Sequence, residues 1–352
     1  MITSIRLQNF RSYEDSSFEF EAGVNIIIGP NTSGKTNLLE ALLLLCKGGS
    51  YRNKLEEVIR HNQPWARLDA FIAPDQKRVL KIEAGKTQPK SFEINDKLAK
   101  RLSFEQKIPT ILFEPNQLQL LTTSPEQRRQ FIDELLEQTD NEFASHKRAY
   151  MRIIAQRNNL LKRHPTNLKE QIFVWNLRMS EFAASIVKKR LELIEKLNRS
   201  ITENYRQIAM GKDTVLLSYQ TSCNTSNYAT SLLKKLEDNL QQDLQRGFTN
   251  YGPHRDDINV ELNDRNILAT ASRGEIRSLL LALKFEEVKL VEAARAEKPI
   301  LLLDDVFGEL DARRRKSLTE FLMDYQSFIT TTDADVVQKN FTKNSNIIAL
   351  EN

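Results

Sequence analysis

Cysteine is nearly absent. Cys46 and Cys223 are the two thiols in 352 residues, and neither belongs to a CxxC pair or a Cys/His cluster. That spacing speaks against a disulfide scaffold and a zinc site, and two reduced cytosolic thiols are expected. No charge of one sign dominates: 51 Lys and Arg stand against 47 Asp and Glu, a net charge of +4. Any contact with a polyanion must therefore come from local patches. Long apolar runs are missing as well. The run 41–45 is far too short to span a bilayer, and Met1-Ile2-Thr3-Ser4-Ile5-Arg6 lacks a basic segment followed by an apolar signal stretch. A cytoplasmic protein with no membrane partner is expected. There is no internal repeat and no low-complexity tract. What the chain does have is a 40% hydrophobic fraction, enough for one large globular domain or two ordinary ones.

The opening residues read as short strands. Ile5 and Leu7 alternate with polar residues, Phe18 and Phe20 do the same, and 24–28 is apolar apart from Asn25, as suits a doubly buried strand. Gly29-Pro30-Asn31-Thr32-Ser33-Gly34 follows, and 35–45 has the composition of a helix. Short strands return over 66–94 with a turn at Ala73-Pro74-Asp75-Gln76, and 110–113 is a further strand; these are expected to form an antiparallel layer. At Ser124-Pro125-Glu126 a capping residue, a first-turn proline and an acid announce helices. Helical spacing then dominates to about residue 209, interrupted at His164-Pro165-Thr166-Asn167, and two or more helices folding back as an arm are expected. Their amphipathic faces are read as packed core rather than a cofactor box. Strands recur at 214–219 and 258–262, with Asn263-Asp264 as a hairpin turn. The last stretch alternates: helix 274–294, strand 300–303, helix 313–322, strand 328–330. The expected architecture is α/β, one sheet built from both ends of the chain (1–124 and 210–352) with a helical arm (125–209) inserted between them.

Gly29 to Thr36 satisfies GxxxxGK[ST] between a strand and a helix. Backbone N–H groups of Gly29, Pro30's neighbours Asn31, Thr32, Ser33 and Gly34, and the helix start through Asn37 can cradle phosphates. Lys35 can reach the β- and γ-phosphates of ATP, and the Thr36 hydroxyl can ligate Mg²⁺. The apolar run 299–303 delivers Asp304 and Asp305 at the C-terminal end of a strand, where ligands of open α/β sheets gather. Asp304 suits Mg²⁺ with Thr36, and Asp305 suits the attacking water. Ser272-Arg273-Gly274-Glu275 precedes a helix and by itself reads as an N-cap. His254, beside Arg255 and Asp256, reads as a structural hydrogen-bonding residue rather than a base. The basic run Arg313-Arg314-Arg315-Lys316 suits a solvated helix face as well as phosphates.

Placed about 30 residues before the acidic strand, the Ser272 loop resembles the signature loop of ABC-type ATPases. Gly308-Glu309-Leu310-Asp311 resembles their D-loop, and Thr330-Thr331-Thr332-Asp333 ends the strand where their switch residue sits. The long separation of Lys35 from Asp304, and the opening Leu7-Gln8-Asn9-Phe10-Arg11-Ser12, resemble the SMC-like branch of DNA-repair ATPases. Three stretches are similar to the RecF family in particular: 115–120 with Ser124-Pro125-Glu126-Gln127-Arg128-Arg129-Gln130-Phe131-Ile132-Asp133, Tyr251-Gly252-Pro253-His254-Arg255-Asp256-Asp257, and 301–311. The chain departs from that family at Asn116, where an acid is usual, at Thr123, where glycine is, and at Gly308, where serine or alanine is.

The resemblance implies an ABC-type P-loop ATPase head with a mixed sheet, an antiparallel β layer and the helical arm as lobe II. It implies ATP held between the P-loop of one copy and Ser272 and Gly274 of another, so that ATP drives a homodimer and slow, DNA-dependent hydrolysis releases it. Arg11 would contact the nucleotide or couple it to DNA. The implied partners are gapped or single-strand/double-strand junction DNA, RecO and RecR, with RecA loading on single-stranded DNA during replication repair and the SOS response. Two other readings of the P-loop stay open at this stage. One is a metabolic kinase, which needs no signature loop from a second copy; the other is a structural SMC-like DNA clamp, although long heptad arms, a hinge and a Cys hook are lacking.

Overall fold

A computed structural model gives the fold and describes residues 1–49, 55–114, 121, 123–332, 341 and 345–350. The stretch 115–120 with Asn116, and Asp333 at the end of the threonine run, lie outside the described residues. The chain divides into two compact units, Met1–Gln117 with Glu287–Asn352 and Leu118–Glu286.

The first unit opens with the hairpin β1 (Ile2–Phe10) and β2 (Tyr13–Glu19), followed by β3 (Val24–Ile28) and α1 (Lys35–Lys47). An antiparallel meander comes next: β4 (Trp65–Ile72), β5 (Gln76–Glu83), β6 (Lys90–Ile94) and β7 (Lys97–Ala99). With the first hairpin it makes a six-stranded sheet of order β2-β1-β4-β5-β6-β7. The alternation of buried and partly exposed residues along β4 is the mark of a sheet with one face in the core.

β8 (Thr110–Phe113) departs from the sequence expectation. It belongs not to the antiparallel layer but to a second, parallel sheet, in register with β12. Its four residues are all buried, as in a strand covered on both faces, and no local signal distinguishes that from one more meander strand.

The second unit begins with α2 (Pro125–Thr139), α3 (Asn141–Arg163), α4 (Leu168–Asn198) and α5 (Ile201–Ala209). Ser124 caps α2 by accepting from the Gln127 amide, and Pro125 takes the first turn. α3 ends where His164 turns to a left-handed φ of 49°, and α3 and α4 pack along each other across the connection that carries Pro165. β9 (Val215–Gln220), α6 (Tyr228–Asp238), α7 (Leu240–Arg246), β10 (Asp257–Leu262), β11 (Arg265–Asn266) and the short α8 (Ile267–Thr270) complete this unit. The β10–β11 hairpin turns on Asn263 and Asp264, both at positive φ (51° and 60°), the conformation these two residue types tolerate best. Within this unit the fully buried Arg157 of α3 meets the fully buried Asp243 of α7 at 2.7 Å, with Asn176 and Thr249 as further acceptors.

α9 (Arg273–Arg295) carries the chain from the second unit into the first. There β12 (Ile300–Asp304), α10 (Ala312–Leu322), β13 (Ser327–Thr331) and β14 (Ser345–Ala349) finish a five-stranded parallel sheet of order β14-β3-β13-β12-β8. Strands from both ends of the chain thus share one sheet, and the expected α/β head with a mixed set of strands is what forms. α1 lies in the core of this unit, with Leu38, Leu39 and Leu42 fully buried among residues of both sheets.

Candidate functional site

The parallel sheet fixes the site. β3, β13 and β12 are adjacent and run the same way, so the loop after Ile28, the end of β13 and the end of β12 emerge together. β3 hands the chain to the glycine loop, where Thr32 (φ 76°) and Gly34 (φ 96°) supply the reversed backbone that lets α1 start at Lys35. A Cβ on Gly34 would come within 2.8 Å of the Ser12 Oγ and 2.9 Å of the Tyr13 hydroxyl. Glycine is therefore required there for space as well as for φ.

The β1–β2 turn buttresses this loop from below in sequence terms: Tyr13 donates to the Gly34 carbonyl at 3.0 Å, and Asn37 donates to Ser12 Oγ at 3.0 Å. Arg11 (φ 51°) forks onto the buried Glu40 of α1 at 2.9 and 3.1 Å and donates to the Glu57 carbonyl. This explains why the opening segment carries a recognisable sequence: three consecutive residues hold the P-loop and its helix.

Lys35 is buried and its ammonium donates to the carbonyls of Gly29 (2.7 Å) and Pro30 (2.6 Å). Burial pulls its pKa down, and Asp305 and Asp304 pull it back up. Thr36 Oγ1 lies 2.9 and 3.1 Å from the two carboxylate oxygens of Asp304, across 268 residues of sequence. Hydroxyl and carboxylate oxygens at that separation are the hard donors that Mg²⁺ takes, and the ion ordinarily completes its shell with phosphates and water. Among the described residues no three His, Cys, Asp or Glu side chains gather as a metal cage of their own. Ser33 Oγ is buried and finds no hydrogen-bond partner among the described residues. An orphaned hydroxyl inside a glycine loop fits a phosphate oxygen.

Asp305 leaves β12 in a left-handed conformation (φ 52°). Burial, and then the neighbouring charge of Asp304, push its pKa up. Thr330, opposite Asp304 in the β12–β13 register, holds both acids. Its hydroxyl donates to Asp304 Oδ1 at 2.8 Å and accepts from the Asp305 amide at 3.0 Å. Sequence reasoning assigned Thr330 no such part. Its position in a threonine run is visible, but that β13 is the neighbour of β12 is not.

Ser272 and Glu275 form a reciprocal capping box at the start of α9: the Ser272 amide donates to Glu275 at 2.6 Å and the Glu275 amide to Ser272 Oγ at 3.3 Å. Ser272 is exposed, and it and Gly274 lie in the second unit. Gly308 sits in a single 3₁₀ turn, and Asp311 caps α10 by accepting from the Arg314 amide. His254 donates through Nε2 to the Thr249 carbonyl (3.2 Å), which leaves Nδ1 to accept from the Tyr150 hydroxyl (2.7 Å).

The family model of the RecF/RecN/SMC N-terminal domain matches residues 1–352. A DNA replication and repair protein RecF of Clostridium perfringens is 31% identical over 355 residues, covering 100% of this chain and 98% of that protein. Its counterpart in Halothermothrix orenii is 34% identical over 94% of this chain and 92% of the relative. Among solved structures, the recombination mediator protein RecF with ATPrS in the RecFOR pathway superposes with a TM-score of 0.88 at 28% identity, covering 96% of this chain and 93% of the other. An Smc head domain of Pyrococcus furiosus shares the fold, with a TM-score of 0.53 at 17% identity over 96% of this chain and 91% of the other. The glycine loop, the paired acids and these likenesses agree: the chain belongs to the RecF/RecN/SMC family of ABC-type ATPases, in its RecF branch.

Proposed function

We propose that this chain is an ATP-dependent DNA-binding protein of recombinational repair, in which ATP joins two copies and its hydrolysis releases them. The observation that supports this best is the meeting of Thr36 with Asp304, with Lys35 on the loop carbonyls and Asp305 held beside them. In this reading the loop amides 29–34 and the start of α1 receive the phosphates, and Lys35 exchanges its carbonyl acceptors for phosphate oxygens. Thr36 and Asp304 would hold Mg²⁺, which would neutralise phosphate charge. Asp305 orients the attacking water and accepts its proton, a role that its raised pKa favours.

Ser272 and Gly274 act on the nucleotide of another copy through the N-terminus of α9. Arg11, tied to Glu40, couples the nucleotide loop to the β1–β2 turn and so to bound DNA. The head takes in 1–124 and 210–352 and the arm 125–209 serves as lobe II. The names of the relatives supply the setting: RecF of DNA replication and repair, acting in the RecFOR pathway. Gapped or junction DNA, RecO and RecR are accordingly the partners, RecA loading the outcome, weak DNA-stimulated hydrolysis the switch, and the cytoplasm the place. No helix among the described residues is long and apolar enough to cross a membrane.

The test is sedimentation with ATP, with and without gapped DNA. The unsubstituted chain is expected to dimerise with ATP, Lys35→Ala to bind nucleotide more weakly, and Ser272→Arg to bind ATP yet stay monomeric. A Ser272→Arg variant that still dimerises ends the two-copy model. Rapid ATP turnover by dilute protein without DNA favours a metabolic kinase instead.

A further inference from the structure

Two stretches that resemble the RecF family, 124–133 and 251–257, are far apart in sequence and meet inside the second unit. Three guanidinium groups stand at their junction. Arg128 forks onto Asp257 at 2.9 and 2.8 Å. Arg190 of α4 forks onto Asp133 at 2.8 and 3.0 Å and donates to the Pro253 carbonyl at 2.7 Å. Arg129 is different. Its single hydrogen bond among the described residues goes to the Asp256 carbonyl at 2.6 Å, and it has no carboxylate partner there.

Arg129 is half-buried, and burial followed by the positive charge of Arg190 presses its pKa below the ordinary arginine value, against the opposing pull of Asp257, Glu126 and Asp133. It lines a cavity of about 260 Å³ together with Lys147, Gln130 and Tyr150. Asp133 of the lining is already used, since it faces Arg190 and also Lys147 at 3.1 Å, and Lys147 meets Glu137 as well at 2.9 Å. His254 brings no charge, because its pKa is lowered to about 4. The other acid of the lining, Glu126, is exposed and therefore screened by water. Asp257, Glu126 and Asp133 act on Arg129 only from a distance; a guanidinium drawn partly out of water with no carboxylate in direct contact is costly, and its remaining donors match an oxyanion.

We propose that Arg129 forms an oxyanion site that takes a phosphate group, outside the nucleotide site and within the second unit. The planar fork of Arg129 grips two phosphate oxygens, while the paired Arg128 and Arg190 hold the wall rigid. A backbone phosphate of DNA and a free phosphate share this chemistry. The DNA source rests on the DNA-binding reading above; the site itself does not.

The experiment uses the full chain and two variants, Arg129→Gln and Arg129→Lys. Glutamine keeps a donor for the Asp256 carbonyl, and unchanged far-ultraviolet circular dichroism with a cooperative melt checks that each variant is folded. Anisotropy with a gapped duplex over a salt series is expected to show that Arg129→Gln weakens binding uniformly across sequences and lowers the salt slope by about one, while Arg129→Lys keeps the slope. In parallel, inorganic phosphate should raise the melting temperature of the unsubstituted chain and not that of Arg129→Gln. Loss of the phosphate effect with unaltered DNA binding assigns the site to free phosphate. Equal DNA slopes together with equal phosphate stabilisation in Arg129→Gln overturn the proposal. Absence of DNA binding by the unsubstituted chain sinks the DNA-binding reading, and the phosphate arm still decides the site.

Discussion

Thr330 carries more of the candidate site than its chemistry suggests. A single buried hydroxyl donates to Asp304 and accepts from the amide of Asp305, which the Thr330 carbonyl also receives at 3.2 Å, so one residue orients the carboxylate of one acid and holds the amide of the next. Thr330→Val keeps shape and strand preference but removes both hydroxyl bonds. Hydrolysis is expected to fall about tenfold or more, as for loss of a hydrogen bond to a charged group, with ATP binding retained and Thr330→Ser restoring the rate. Steady-state kinetics over a Mg²⁺ series read this directly, since a merely structural hydroxyl would not move the Mg²⁺ requirement. His254 makes a prediction of a different kind. Burial lowers its pKa from the ordinary 6.5 to about 4. The folded state thus resists the proton that the unfolded state accepts, so the stabilisation is complete above pH 6.5 and is lost as pH falls towards 4. The loss is on the order of 3 kcal/mol over that window. Denaturant titrations of the chain and of His254→Gln between pH 7 and pH 4 should diverge accordingly. An equal pH slope in the variant would show that other groups govern it. The residue types of the P-loop, of Asp304 and of Asp305 were legible in sequence; Thr330, Tyr13 and Glu40 were not, because their parts depend on which strands and helices become neighbours.

Element boundaries were legible where a capping or turn residue marks them. Ser124 with Pro125, Asn263-Asp264 and the break near Pro165 all act locally, through the amides and φ values of adjacent residues. The break between α2 and α3 has no glycine or proline. Asp140 ends one helix in an extended conformation (φ −137°, ψ 111°) and caps the next, accepting from the Glu142 and Phe143 amides at 2.9 and 3.1 Å. Its other oxygen pairs with Lys189 of α4 at 2.7 Å, which fixes the corner from outside. Asp140→Ala is expected to destabilise the second unit by about 1 kcal/mol or somewhat more, and Asp140→Ser to recover most of that. Hydrogen exchange at the start of α3 reads the effect; unchanged protection in the alanine variant would mean that the Lys189 pair and the cap are idle. α6 and β14 had no such marker, and β14 in particular finds a parallel edge on β3, in register from Val24 to Ile28.

At the scale of the whole molecule the chain leaves the first unit after Gln117 and returns at Glu287, with a complete second unit between. DNA binding is expected to be strengthened by ATP and weakened by salt, because a net charge of +4 gives no general attraction and discrete cationic sites must supply it. Anisotropy titrations that find no ATP effect would remove the nucleotide switch. The sequence by itself determined the glycine loop, the acidic strand end, most helix and strand types and, through family resemblance, the RecF branch. These are properties of adjacent residues, of period and spacing, and they survive without knowledge of the partners in space. Only the tertiary structure decided that β8 joins the parallel sheet, that Tyr13 braces the glycine loop, that Thr330 holds both acids and that Arg129, of the three arginines, meets no carboxylate directly. Each of those is a contact between residues far apart in the chain, set by strand order and burial, and no local pattern encodes which distant group will be there.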